Sequence, residues 1–250
     1  MNTIISFKNL SKSFGFSKVI ENLSLDIFEG ETITIIGGSG SGKSVLLKLL
    51  LGVLKPDDGK ILFRGNDITE MDEWELIDVG KQIGMLFQGA AIFDSLTTAE
   101  NVAYPLREHF KYDETKIRQI VMEKLKLVGL TESYNTMPSD LSGGMKKRVG
   151  LARAIATSPS VILYDEPTTG LDPANTMRIN RLIRELQRKL HVTSVVVTHD
   201  MASAFLVSDR IAMLYNKRIE FVGTVEEAKK SSNSIVQHFI QGYIGEDSIG

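Results

Sequence analysis

Three stretches of this chain are apolar almost without a break. Thr32–Gly37 reads TITIIG, Val161–Glu166 reads VILYDE and Val192–Asp200 reads VTSVVVTHD. Short, largely β-branched runs of this kind mark strands buried on both faces. Between the second and third runs, Ile179, Leu182, Ile183, Leu186 and Leu190 recur at helical spacing. Strand, helix, strand in that order predicts a parallel α/β sheet. A further helix is predicted over Ser44–Leu54, apolar on almost every side and therefore deep in the domain.

Two other textures surround this core. The first thirty residues and KILFRGNDI (Lys60–Ile68) alternate like antiparallel strands, with a turn at Lys55–Lys60. Residues 91–158 show no convincing strand. There Ile117, Ile120, Val121, Leu125 and Val128 form a helical stripe that starts near Asp113. No linker, repeat or low-complexity tract breaks the chain. The reading is one α/β domain over 1–230 with a helical insertion at about 91–158 and a C-terminal helical extension over 231–250. In that extension Ile235, Val236, Phe239, Ile240, Tyr243 and Ile244 have amphipathic spacing. It either docks on another subunit or folds back on its own domain. Trp74, the single tryptophan, is assigned to packing.

Composition adds exclusions. The 250 residues are 42% hydrophobic and 24% charged, with a net charge of −2 and no cysteine. Disulfides and thiolate chemistry are excluded, and no bulk charge favours nucleic acid. The N-terminus lacks the pattern of a signal peptide. The most apolar stretch, Val45–Leu54, contains Lys48 and falls short of the roughly 20 residues a membrane span needs. Any membrane contact is expected through a partner.

The candidate chemistry starts at Gly37, Gly38, Ser39, Gly40, Ser41, Gly42, Lys43 and Ser44. This is G-x-x-x-x-G-K-[ST] between a predicted strand and a predicted helix, the context the motif requires. Glycines let successive backbone N–H groups curl around phosphates, and the helix N-terminus adds partial positive charge. Lys43 can reach the β- and γ-phosphates and the Ser44 hydroxyl can ligate Mg²⁺. The bland alternative is a plain glycine turn. At the end of the second strand, Asp165 is placed to hold Mg²⁺ and Glu166 to polarise the attacking water; in isolation two acids ending a strand are also common.

LSGGM (Leu141–Met145) decides which kind of nucleotide protein this is. It follows a helical region and precedes the VILYDE strand by about twenty residues. With it the chain resembles the ATP-binding-cassette (ABC) ATPase family over essentially its whole length. The resemblance implies a P-loop NTPase fold with a parallel-sheet core, an N-terminal antiparallel β subdomain and a helical insertion, with ATP and Mg²⁺ as cofactors. It implies that Ser142, Gly143 and Gly144 bind the γ-phosphate, and that Gln88 in MLFQ links the metal and attacking water to the insertion. It makes Asp172 in GLDP the D-loop aspartate, His199 the switch histidine and Phe14 the adenine platform, with Phe16 in reserve. Met145 departs from the family's usual glutamine and removes an amide donor.

The family arrangement is a head-to-tail homodimer, with each ATP held between one chain's Gly37–Ser44 and the other's Ser142–Gly144. MLFQGAAIFDSLTTAENVAYPLREH (Met85–His109) lies where family members touch a membrane permease. Its wording resembles the ATPases of Mla/Mce-type phospholipid transporters. That implies an MlaE-type permease, an Mce-domain lipid-binding protein and a small STAS-domain accessory protein as partners, and a peripheral place on the cytoplasmic face of the inner membrane. An ABC-type ATPase without a permease would bring arms, zinc modules or a second cassette. A non-hydrolysing scaffold would not need Lys43, Asp165, Glu166 and His199 intact.

Overall fold

The computed structural model describes residues 2–242. Contacts between residues divide the chain into two compact units, 1–76 with 195–250, and 77–194.

The first unit opens with β1 (Thr3–Phe14), β2 (Ser17–Phe28), β3 (Thr32–Ile36), α1 (Lys43–Leu50), β4 (Asp58–Phe63), β5 (Asn66–Asp67) and the start of α2 (Glu73–Lys81). β1 pairs antiparallel with β2 and β4, giving a sheet of order β2-β1-β4-β5. In β2, Leu23, Leu25 and Ile27 are buried and Ser24 and Asp26 exposed, the period-two pattern of a sheet with one wet face. The wholly buried β3 pairs in parallel with a later strand, β9 (Arg210–Tyr215), from Ile33 against Arg210 to Ile36 against Met213. The predicted Ser44–Leu54 helix is shorter, because the chain turns at Gly52 (φ 70°) and Leu51 caps the helix.

The second unit holds the end of α2, then β6 (Ile83–Leu86), α3 (Thr98–His109), α4 (Glu114–Leu127), α5 (Gly143–Ala154), β7 (Val161–Asp165), α6 (Pro173–Leu190) and the start of β8 (Thr193–Thr198). β6 and β7 pair in parallel. Residues 91–158 contain helices and no strand. Asp113 caps α4 by accepting from the Lys116 N–H at 2.7 Å, and Ile117, Val121, Leu125 and Val128 are buried as their spacing predicts, with Ile120 half-buried. Burying each such side chain contributes about 1.5–3 kcal/mol. On α6, Ile179, Leu182, Ile183 and Leu186 are buried, and the helix ends at His191 in the left-handed region.

The buried Asn101 on α3 fixes the loop before that helix. Its amide donates to the carbonyls of Phe93, Leu96 and Thr97 at 3.0–3.1 Å and accepts from the Phe93 N–H at 2.8 Å. Asn101→Ala is expected to destabilise the chain by about 1–3 kcal/mol, since partly buried backbone groups at Phe93 and Leu96 lose their partner together. Denaturant melts of the two proteins check this.

Past β8 the chain rejoins the first unit with α7 (Met201–Val207), β9, β10 (Arg218–Thr224), α8 (Val225–Lys229) and α9 (Ser234–Ile240). Strand order is β10-β9-β3-β8 here and β8-β7-β6 in the second unit, the chain passing from one to the other within β8. β10 is antiparallel to β9 beside the parallel β3–β9 pair, so the sheet is mixed at that edge. α9 folds back on its own unit: Val236 is fully buried against Ile36, Ala204, Ile211, Met213 and Ala228, with Ile235, Phe239 and Ile240 alongside. Tyr243 and Ile244 lie outside the described residues.

Trp74 corrects a sequence expectation. It is 80% exposed at the start of α2 rather than packed, and α2 buries no side chain at all. Among the described residues no helix is long and apolar enough to cross a membrane.

Candidate nucleotide site

In the first unit, β3 delivers Gly37 and α1 begins at Lys43, so the glycine loop is held at both ends by buried elements. Gly42 caps α1 with φ 105°, a conformation closed to residues with a side chain. A Cβ on Gly37 would stand 2.5 Å from the Leu214 carbonyl oxygen and 2.8 Å from Ser41 Oγ. The loop therefore needs glycine at both motif positions for steric reasons. Lys43 is buried, and its Nζ donates to the carbonyls of Gly37 and Gly38 at 2.8 and 2.9 Å. Ser41 Oγ is buried with no hydrogen-bond partner among the described residues. A cradle of small residues, a lysine folded over it and an unused hydroxyl within it form a donor set suited to phosphate oxygens. Ser44 is half-buried on the first turn of α1, and Ser39 and Gly40 are exposed.

His199 is exposed directly after β8, ahead of Asp200. Asp200 caps α7 by accepting from the N–H groups of Ala202 and Ser203. Phe14 ends β1 with its ring 47% exposed and Lys12 Nζ 5.8 Å from the ring centre. Phe16 is fully exposed in the β1–β2 turn. Neither ring belongs to the core; Phe14 is half exposed with Lys12 over its ring, and Phe16 is open to solvent.

The second unit carries the remaining residues. Asp165 ends β7 and Glu166 follows with φ 46°, a left-handed conformation unusual for a residue with a side chain. The Glu166 carboxylate accepts from the Thr169 hydroxyl at 3.4 Å. Ser142 caps α5, its Oγ accepting from the Met145 N–H at 3.3 Å, and Gly143 is exposed while Gly144 is buried. Gly144 lies against Asn175, whose N–H donates to Asp172 Oδ1 at 2.9 Å and whose side-chain amide reaches Asp172 Oδ2. That bond from the Asn175 N–H holds the Asp172 carboxyl below its ordinary pKa. Gln88 is exposed on the segment that follows β6.

Sequence reasoning missed Lys147 and Asn175. Lys147 is 5% exposed, and its Nζ donates to the backbone carbonyls of Gln88 and Glu166. Burial pulls its pKa down, and the nearby Asp165 and Glu166 carboxylates partly offset that. The signal was present in the pattern: Gly144, Lys147, Leu151 and Ala154 share one buried face of α5, and a lone cation interrupts it.

The same unit holds an open cleft of about 370 Å³ lined by Ile83, Met85, Phe87, Phe93, Tyr104 and Pro105, with Arg153 and His109 also at its wall. The Phe93 and Tyr104 ring centres are 4.7 Å apart, and the Arg153 guanidinium stands 5.6 Å from that of Phe93.

The family model described as ABC transporter matches residues 20–169 of this chain. The chain belongs to the ABC transporter family. ATP with Mg²⁺ is its cofactor pair and ATP hydrolysis its reaction. Among relatives, it is 44% identical over 97% of its length to the probable ribonucleotide transport ATP-binding protein mkl of Mycobacterium leprae, covering 70% of that protein. It is 43% identical over 96% of its length to the intermembrane phospholipid transport system ATP-binding protein MlaF of Haemophilus influenzae, covering 90% of that protein. Among solved structures it resembles the dimeric ATP-binding cassette MJ0796 in a post-hydrolysis state bound to ADP and Pi. The TM-score is 0.81 at 33% identity, covering 88% of this chain and 98% of that one. The antiparallel β region, mixed core sheet and inserted helices are thus those of an ABC ATPase.

Proposed function

We propose that this ABC ATPase powers a membrane permease that moves phospholipid. The observation that carries the reading is the near end-to-end likeness to the phospholipid transport ATP-binding protein: the two chains cover 96% and 90% of each other. Ribonucleotide transport is the second reading. It rests on 44% identity to a relative of which this chain spans 70%.

In this reading Lys43 and the backbone N–H groups of Gly37–Ser44 bind the β- and γ-phosphates, and Phe14 stacks on the adenine. Ser44, Asp165 and Gln88 hold Mg²⁺, which when bound neutralises charge on the phosphates. Glu166 accepts a proton from the attacking water, and His199 donates to the γ-phosphate. A second copy of the chain pairs head to tail, so that Ser142, Gly143 and Gly144 of one copy meet nucleotide held by the glycine loop of the other, and Asp172 lies at the same interface. The dimeric state of the similar cassette supports this pairing.

The aromatic cleft beside Gln88 suits an apolar segment of the permease, with Arg153 and His109 meeting its polar ends. In this reading the chain sits peripherally on the cytoplasmic face of the inner membrane, held there by the permease. An Mce-domain protein and a STAS-domain protein complete the assembly.

The test is to tag the chain, extract it from native membranes in mild detergent, and identify co-purifying proteins and lipids by mass spectrometry. A permease with an Mce-domain protein and enriched phospholipid is the expected result. A permease with a nucleoside-binding partner moves the assignment to the second reading, and soluble partners alone overturn transport.

A further inference from the structure

α5 begins at Ser142–Gly144 and is gripped along one side by the segment that carries Gln88. Three residues spaced i, i+3, i+6 make the grip. Lys147 donates to the Gln88 carbonyl. At Gly150 a Cβ would come within 3.0 Å of both the Ala90 carbonyl oxygen and Leu86 Cδ1, so a side chain there would press against the segment. Arg153 Nη2 donates to the Ala90 carbonyl at 3.1 Å. The gripped segment is not relaxed: Ala90 and Ala91 both have positive φ, 62° and 49°, which residues with a Cβ adopt only when their surroundings impose it. Lys147 also reaches the Glu166 carbonyl at 3.4 Å, where the chain again has positive φ.

We infer that Lys147 is a positioning residue for ATP hydrolysis, its ammonium drawing the backbones of Gln88 and Glu166 onto the helix that starts with Ser142–Gly144. The inference rests on the roles given above to Gln88 and Glu166. The Lys147 hydrogen bonds go to the two backbone carbonyls, and they fix where each side chain starts. A buried ammonium suits this task because one donor group can serve two carbonyls that approach from different elements. It ties the helix that meets nucleotide held by the other copy to the glutamine and glutamate that act on the nucleotide of this chain's own glycine loop, so that both are in place when the two copies pair.

Two variants of the full-length chain test this. Lys147→Met keeps length and loses the donors; Lys147→Gln loses the charge and keeps an amide donor. In nucleotide-free protein, hydrogen exchange in Lys147→Met is expected to rise about tenfold or more at residues 86–91 and 166–169, with 161–164 unchanged. Its kcat for ATP is expected to fall about tenfold or more with KM within about twofold of wild type, the mark of lost positioning rather than lost binding. Lys147→Gln restores most of both.

Unchanged exchange in both segments of Lys147→Met overturns the inference, as does equal impairment of the two variants, which would make charge the operative property. Should Lys147→Met fail to fold, Lys147→Gln is read alone: normal protection and a kcat within about threefold support the clamp, and loss of either in a folded chain overturns it. The exchange measurement needs no turnover. A wrong role for Glu166 would therefore show in Glu166→Gln and leave this result standing.

Discussion

Glu166→Gln is expected to bind ATP as the wild type does, to dimerise stably in its presence, and to lose hydrolysis by about 10²–10⁴-fold. The substitution keeps size, shape and the ability to accept from the Thr169 hydroxyl, so the backbone geometry at φ 46° has no reason to change. What it removes is the proton acceptor. A neutral amide cannot take a proton from water, and the step that consumes ATP stalls while the step that gathers it does not. Single-turnover hydrolysis alongside ATP-dependent gel filtration separates the two. Wild-type turnover in the variant would assign the base elsewhere.

Lys43→Ala is expected to weaken ATP binding by roughly two to three orders of magnitude, because truncating one partner of a buried charge pair costs about 2–5 kcal/mol. The loop should still form: its shape is set by the glycines and by β3 and α1, while Lys43 contributes two bonds to loop carbonyls. A thermal scan reads both effects. Ligand at 100 times its Kd stabilises the folded state by about 2.7 kcal/mol. For a chain of this size that raises Tm by about 5–10 °C in the wild type. The variant should melt near the wild-type temperature without nucleotide and gain almost nothing when ATP is added. A full shift in Lys43→Ala would remove the lysine from the site.

How much of this was readable from the residues depends on the distance over which each feature is encoded. The glycine loop was legible because its requirement is local: eight consecutive residues state the turn, the close approach at Gly37 and the start of α1. The stripes on α4 and α6 were legible because periodicity alone places their apolar faces. β6 was not, since four residues, one of them glycine, carry too little pattern and draw their burial from β7 and α5. Trp74 misled because a single large aromatic defaults to a core role, whereas its helix buries no side chain fully and, of its apolar residues, turns only Leu76 and Val79 partly inward. The Lys147 tie had no sequence signature at its receiving end: the acceptors are backbone carbonyls, which every residue has. Only the donor stood out, as a cation among buried neighbours.

The packing of α9 has a consequence for how the protein is made. Ile36, the last residue before the phosphate loop, shares its apolar layer with Val236. Ile36 is synthesised long before Val236. A nascent chain halted anywhere between them carries the complete glycine motif over an underside still open to water. Firm packing beneath the phosphate loop is thereby deferred until α9 has been made.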